Sequence, residues 1–262
     1  FKQKTAYEIP LRLVGSEMCI RDRSSAVPAH ARHRWILRGR AAEGMKLNCD
    51  LAEGAGCEAA VMPYLDQANI ACGAHAGDTE LMRSTVALTR DHGVSIGAHP
   101  GYPDREQFGR VSLSASPDQI QTWVAEQVEH LATLCPVEYV KPHGALYHDM
   151  LQQTAVIEAI RHAIGALPLM GPAPFAGGLD WSEAFADRRY QTDGTLMPRN
   201  VAGAVLNEAE TLAQVRQLIA DGTVTTAGGG TLALSATTLC VHGDNPAGVR
   251  IIRAIREILD AG

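Results

Sequence analysis

Four histidines in this chain each end a short apolar run: Asn69-Ile-Ala-Cys-Gly-Ala-His75, Val94-Ser-Ile-Gly-Ala-His99, Tyr139-Val-Lys-Pro-His143 and Leu239-Cys-Val-His242. An imidazole in such a place can take or give a proton near neutral pH, or ligate a metal. Carboxylates recur in the same positions. Asp50 and Glu53 follow the run Lys46–Leu51, Asp78 follows His75, and Asp244 follows His242. Asp50 suits a general base or a metal ligand, and His242 with Asp244 suits a paired acid and base. Lys141 is one of only two lysines beyond residue 44, the other being Lys46. An ammonium at a strand end beside His143 can bind a carboxylate or stabilise an oxyanion.

Each of these residues also has a plainer reading. Asp78 precedes a helical stretch and fits an N-cap, Asp50 and Glu53 fit a solvated turn, and Lys141 fits an exposed surface. Arg105 and Arg110, in the loop after His99, can hold a carboxylate or phosphate, although exposed arginines seldom do anything so specific. His92, His130, His148 and His162 lack a glycine-rich setting and read as surface or packing residues. His75, His99 and His143 together match what a divalent ion accepts, but their spacing is non-local, so convergence is not readable from the sequence. No phosphate loop of the GxxxxGK[ST] type occurs, and Gly228-Gly-Gly230 is a weak substitute for one. The absence of a Gly-x-Ser-x-Gly elbow disfavours a serine hydrolase.

Short apolar runs bounded by turn residues read as buried parallel strands, expected at about 46–51, 67–72, 94–98, 137–141, 167–170 and 237–241. Amphipathic stretches between them predict helices over 58–65, 79–92, 117–134, 149–164, 208–221 and 247–259. Ser116-Pro-Asp-Gln119 is a capping box with proline at the first helical position, and Asn245-Pro246 caps the last helix. Residues 171–205 show no clear pattern. Six or seven βα units of this kind predict an α/β fold, a closed or nearly closed (β/α) barrel, with an open doubly wound sheet as the alternative. Either way the polar residues fall at the carboxyl ends of strands, where such folds place their chemistry.

The chain of 262 residues is 46% hydrophobic and 20% charged, ordinary for one large core. No apolar run approaches the ~20 residues that span a bilayer, so no membrane partner is expected. A net charge of −6 argues against nucleic acid. Six scattered cysteines without a CxxC pair suggest a reducing, cytoplasmic setting. Residues 1–44 hold nine Lys and Arg against four Asp and Glu, a balance of +5 that leaves −11 for the rest. With Met45 directly before the first strand, residues 1–44 read as a non-native or untranslated extension, and 45–262 as a single catalytic domain.

The strings NCDLAEG, ANIACGAHAGD, GAHPGYPD, FGR, VKPHGALY, EAFADRRY, DGTLMPR and CVHGDNP, in this order, resemble the LamB/YcsF family of 5-oxoprolinase A subunits. The resemblance implies an irregular seven-stranded TIM-like barrel of the glycoside hydrolase/deacetylase type. It implies ATP-dependent opening of the lactam 5-oxoproline to L-glutamate, with magnesium and partner subunits B and C. Homo-oligomer formation and a divalent metal at His75, His99 and His143 stay open. On this reading Asp50, His75, His99, Lys141, His143, His242 and Asp244 line one pocket. Asp50 or His143 serves as base, Lys141 holds a carboxylate or oxyanion, and His242 with Asp244 assists proton transfer. Asn48, Glu53, Asn69, Asp78 and Arg110 are the expected substrate-binding residues. The family pattern usually has glycine where Ala52 and Gln107 stand and an aromatic where Ala74 stands, and it is longer around Ala166–Leu179. The alternatives are a stand-alone metal-dependent deacetylase and a non-catalytic lactam-binding subunit.

Overall fold

Apolar runs too short for helices become strands here because both their faces are covered. The computed structural model describes residues 44–175, 179–242 and 246–261. Strands follow in chain order as β1 Lys46–Leu51, β2 Gln67–Ala71, β3 Ser95–His99, β4 Tyr139–Val140, β5 Met170–Pro172, β6 Trp181–Phe185, β7 Thr223–Thr225, β8 Thr231–Ala233 and β9 Thr238–Cys240. The helices are α1 Glu58–Val61, α2 Thr79–His92, α3 Pro117–Ala132, α4 Gly144–Gln152, α5 Thr154–Ile164, α6 Glu208–Asp221 and α7 Pro246–Ala261. Every residue of β2 is buried, as expected of a strand with one face on a packed interior and the other under helices.

Seven strands form one sheet in the order β4-β3-β2-β1-β9-β6-β5, and every pairing in it is parallel. A parallel bridge between Val140 and Leu169 joins the two edge strands, and Val140 N–H donates to Pro168 O at 2.8 Å. The sheet is therefore a nearly closed barrel, and the open doubly wound alternative is set aside. No helix among the described residues is long and apolar enough to cross a membrane. The segment 1–44, apart from Gly44, and the Asn245 cap lie outside the described residues.

Local chemistry sets most boundaries. Ser116 Oγ accepts from Gln119 N–H while the Gln119 side chain accepts from Ser116 N–H, so α3 begins with the expected capping box. Asn207 and Glu210 make the same reciprocal pair at α6. Gly93, at φ 67°, ends α2 in the left-handed conformation that glycine tolerates best. Ala52 also sits at positive φ, 60°, which gives a physical reason for the glycine usual at that place in the family pattern.

Several expectations are revised. The single helix predicted over 149–164 is two, because Gln153 is extended at φ −129° and ψ 108°, and α4 starts directly after His143. The helix expected over 58–65 is one α-helical turn followed by a 3₁₀ turn, Met62–Tyr64, with Pro63 near its start. The strand expected at 137–141 shrinks to two residues, and the one expected at 167–170 starts at Met170. The unclear stretch contains β6, and Gly228–Gly230 belongs to the turn of the β7–β8 hairpin, with Gly229 at φ 78°. That glycine run is a hairpin turn, not a phosphate cradle.

Candidate active site

Alternation along the strands sends every second residue into the barrel. Asn48 and Asp50 on β1 meet Asn69 on β2, whose Nδ2 donates to Asn48 Oδ1 and Asp50 Oδ1, both at 2.8 Å. Tyr139 Oη donates to Asn69 Oδ1 at 2.7 Å, and Asn48 Nδ2 donates to Thr238 Oγ1 at 2.9 Å. Asn48 and Asn69 are therefore fully buried beneath the site, where they orient Asp50. Gly97 leaves room for this network, since a Cβ there would fall 2.2 Å from the Tyr139 ring.

Lys141 lies just past β4, with its side chain 2% exposed. Its Nζ is 2.7 Å from Asp50 Oδ1, 2.9 Å from Glu183 Oε1 and 3.2 Å from Cys240 Sγ. Burial opposes its charge, but Asp50, Cys240 and Glu183 outweigh it and hold the ammonium pKa well above the usual lysine value. Burial likewise opposes ionised Asp50, yet His99 and Lys141 hold its carboxyl well below the ordinary range. Both groups are thus charged at neutral pH, and Asp50 is a poor proton acceptor.

Beside this pair stands a cluster of three imidazoles and Glu53. His99 Nδ1 faces Lys141 O at 2.7 Å and His143 Nε2 faces Phe108 O at 2.9 Å. A carbonyl only accepts, so each of those nitrogens carries the hydrogen and the opposite nitrogen is left to face the cluster. His99 Nε2 and His143 Nδ1 are 3.0 Å apart. Glu53 Oε1 lies 3.2 Å from His143 Nδ1, 3.7 Å from His99 Nε2 and 3.3 Å from His75 Nε2. Two lone pairs aimed at each other beside a carboxylate require a proton or a cation between them. A proton fits His99, whose pKa Asp50 raises in spite of burial, while burial lowers that of His143.

A metal ion also fits. Four ligands at ~2.0–2.2 Å in a tetrahedron stand roughly 3.3–3.6 Å apart, close to the separations just given. Glu53, His99 and His143 are the donors already aimed inward. His75 offers a donor atom to the same cluster, but its ring stacks on His143 at 3.8 Å and within 5° of parallel, so their in-plane lone pairs do not converge on one point. His75, pushed down by burial to about 4, is neutral and suits a donor that orients Glu53. A second set, Asp50, Cys240 and His242, brings donor atoms close together, but Lys141 Nζ already supplies the cation there.

His242 follows β9. Its Nδ1 donates to Asp187 Oδ2 at 2.8 Å, its Nε2 accepts from Arg199 Nη2 at 2.9 Å, and Asp50 Oδ2 is 4.0 Å from that Nε2. Burial disfavours the imidazolium, but Asp187 more than compensates, so the His242 pKa is raised. Asp187 takes the partnership expected of Asp244, which lies outside the described residues. Asp187, Glu183, Arg188 and Arg199 were not among the expected residues. The strand-end logic that finds Asp50 would find Asp187 too once β6 is recognised.

These groups open on one cavity of about 720 Å³, within the roughly 300–1,000 Å³ of small-molecule sites. Asp50, Glu53, His99, Lys141, His143 and His242 line it, as do Arg110 and the exposed His148, which the sequence assigned to an ordinary surface. Asp78 does not line it: its Oδ1 caps α2 by accepting from Leu81 N–H at 2.8 Å. Arg105 also has a structural task, donating to Gly73 O and Gly77 O and so tying down the loop that carries His75.

The sequence profile of the LamB/YcsF family matches residues 45–262. A 5-oxoprolinase A subunit from Vibrio parahaemolyticus is 45% identical over 242 residues, covering 83% of this chain and 96% of that protein. One from Pseudomonas fluorescens is 46% identical over 240 residues, covering 82% and 96%. Among solved structures, a lactam utilization protein from Thermus thermophilus superposes with a TM-score of 0.76 at 33% identity, over 84% of this chain and 97% of that one.

Proposed function

The chain belongs to the LamB/YcsF family, and from that premise and the geometry of the cavity we propose that it is the A subunit of an ATP-dependent 5-oxoprolinase. It opens 5-oxoproline to L-glutamate together with B and C subunits. The observation that carries this reading is a fixed ammonium, Lys141, beside an oriented imidazole, His242, on one cavity wall. That is what amide opening needs: a cation where the carbonyl oxygen gains charge, and a base for the attacking water.

In the reaction water adds to the ring carbonyl carbon, the C–N bond breaks, and the departing nitrogen takes both protons of the water, leaving a carboxylate and an ammonium group. His242, oriented by Asp187, accepts the proton from water and returns one to the nitrogen. Lys141, whose three N–H groups are held by Asp50, Glu183 and Cys240, places its positive charge behind the oxyanion. An unstrained lactam resists attack, and ATP with magnesium supplies the activation when bound. Gly228–Gly230 forms a hairpin turn rather than a phosphate loop, which is compatible with partner subunits handling much of the nucleotide chemistry. A divalent ion, held by Glu53, His99 and His143, would act as a Lewis acid next to this machinery.

The test is glutamate release from 5-oxoproline with ATP and magnesium, using this chain with and without its B and C partners. Release that requires both the chain and its partners supports the reading. No release from folded protein with active partners overturns it. The Glu53–His99–His143 cluster favours a second reading, a metal-dependent deacetylase, which predicts ATP-independent amide cleavage that is lost on chelation.

A further inference from the structure

The mechanism above leaves one strongly charged part of the cavity unused. Arg188 follows Asp187 at the end of β6 and lines the cavity, yet the residue is only 7% exposed. Its Nη2 donates to Met197 O at 2.6 Å and its Nε donates to Ala204 O at 3.4 Å. No carboxylate among the described residues comes within ion-pair distance of it. The adjacent Asp187 spends both oxygens on His242 Nδ1, at 3.1 and 2.8 Å.

A second guanidinium stands close by. Burial and then the charge of Arg199 push the Arg188 pKa down to about 10. Arg199 is exposed at the cavity rim and donates to the neutral acceptor His242 Nε2. Asp187 offsets part of this charge, but two neighbouring cations, one of them buried and bonded only to backbone carbonyls, outnumber that one carboxylate, which is shared with His242. Charges taken out of water in this way need a counter-charge. A planar guanidinium fork matches a carboxylate or phosphate oxygen pair.

We propose that Arg188, with Arg199 at the rim, forms an oxyanion-binding site that selects the substrate by its negative group. Resting on the lactam reading above, that group is the carboxylate of 5-oxoproline, held beside His242 so that the ring amide faces Lys141. The same chemistry would take a phosphoryl group, and the test separates the two.

Binding of L-5-oxoproline, 2-pyrrolidinone and inorganic phosphate to the full chain is measured by calorimetry, for the wild type, Arg188→Gln and Arg199→Gln. 2-Pyrrolidinone is the same ring without the carboxylate. The wild type is expected to prefer 5-oxoproline over 2-pyrrolidinone by about tenfold or more, the scale of one charged hydrogen bond. Arg188→Gln is expected to erase that preference by weakening 5-oxoproline alone. Because Arg188 also ties two loop carbonyls, its variant is checked by circular dichroism. Arg199→Gln, at an exposed position, gives an independent arm in which the preference falls at least threefold. If both variants keep the wild-type preference, or the wild type has none, the oxyanion site is overturned, while glutamate release still tests the lactam reading separately. If phosphate binds in an Arg188-dependent way and 5-oxoproline does not, the oxyanion site stands and its assignment to the lactam carboxylate is overturned.

Discussion

Replacing Lys141 with methionine removes a buried charge while keeping much of the side chain's volume. In the wild type Nζ sits 2.7 Å from Asp50 and 2.9 Å from Glu183, with the Glu183 side chain 0% and the Asp50 side chain 11% exposed. Taking away one partner of a buried ion pair costs roughly 3–5 kcal/mol, because the remaining charge is left without compensation. For a domain of this size each kcal/mol moves the melting temperature by ~2–4 °C, so Lys141→Met is expected to melt about 6–20 °C lower near pH 7.5.

The dependence on pH has a definite sign. The folded-state pKa of Asp50 is depressed, so its contribution is present above the ordinary carboxylate value of ~3.9 and is lost only as pH falls through the depressed one. The folded-state pKa of Lys141 is raised, so its contribution is present below ~10.4 and is lost only as pH rises past the raised one. Between about pH 5 and 9 the wild-type pair is therefore flat. In the variant Asp50 keeps His99 but loses Lys141, so less of the burial penalty on its charge is offset, and that penalty is relieved as pH falls. The melting deficit should be largest at pH 7.5 and smaller at pH 5, and adding Glu183→Gln should recover part of it. Calorimetry at the two pH values measures this. A deficit under 2 °C at pH 7.5, or one that grows at pH 5, would refute the account of the buried pair.

Four further outcomes are expected. Asp187→Asn should slow glutamate release by the reconstituted enzyme about 10²–10⁴-fold, the scale of a misoriented general base, with unchanged circular dichroism; a rate within threefold of wild type would remove the dyad from the mechanism. In the wild type that rate should rise with pH through the raised His242 pKa, since only the free base accepts a proton. Cobalt(II) titrated into the full chain should bind and give a visible absorption band that Glu53→Gln and His99→Asn each abolish, whereas a featureless spectrum at excess cobalt would leave the cluster to a proton. Ala52→Gly should raise stability by about 1 kcal/mol by relieving a side chain at positive φ, and urea denaturation showing a loss instead would contradict that strain.

The barrel could be read from the sequence because its strands are apolar, bounded by turn residues and followed by amphipathic helices, as at Gln67–Ala71 and Thr79–His92. Placing His75, His99, Lys141 and His143 at strand ends needed no more than that pattern. What stayed hidden is buried polarity. Glu183 sits in the middle of β6 and is fully buried, so an apolar run is interrupted where the site needs an acid, and the strand disappears from the pattern. Asp187 and Arg188 were lost with it. Asp78 shows the opposite limit: a carboxylate near a candidate site and a helix cap have the same local spelling, and only the bond to Leu81 N–H separates them. The α4–α5 break at Gln153 carries no proline or glycine, so nothing local announces it.

The closure of the barrel has a mechanical consequence for the residues it carries. β4 is the slimmest stave, joined to β3 by two paired positions and to the β5 side by the lone Val140–Leu169 bridge. Neighbouring β2 and β3 are paired at five. Backbone bonds continue this seam past the paired positions, from Lys141 N–H to Ala98 O at 2.9 Å and from His143 N–H to Pro100 O at 2.8 Å. Lys141 and His143 are attached immediately beyond it. The bonds that close the ring are therefore the same bonds that fix the backbone of Lys141 and His143, so the position of the site's charge is set by barrel closure itself.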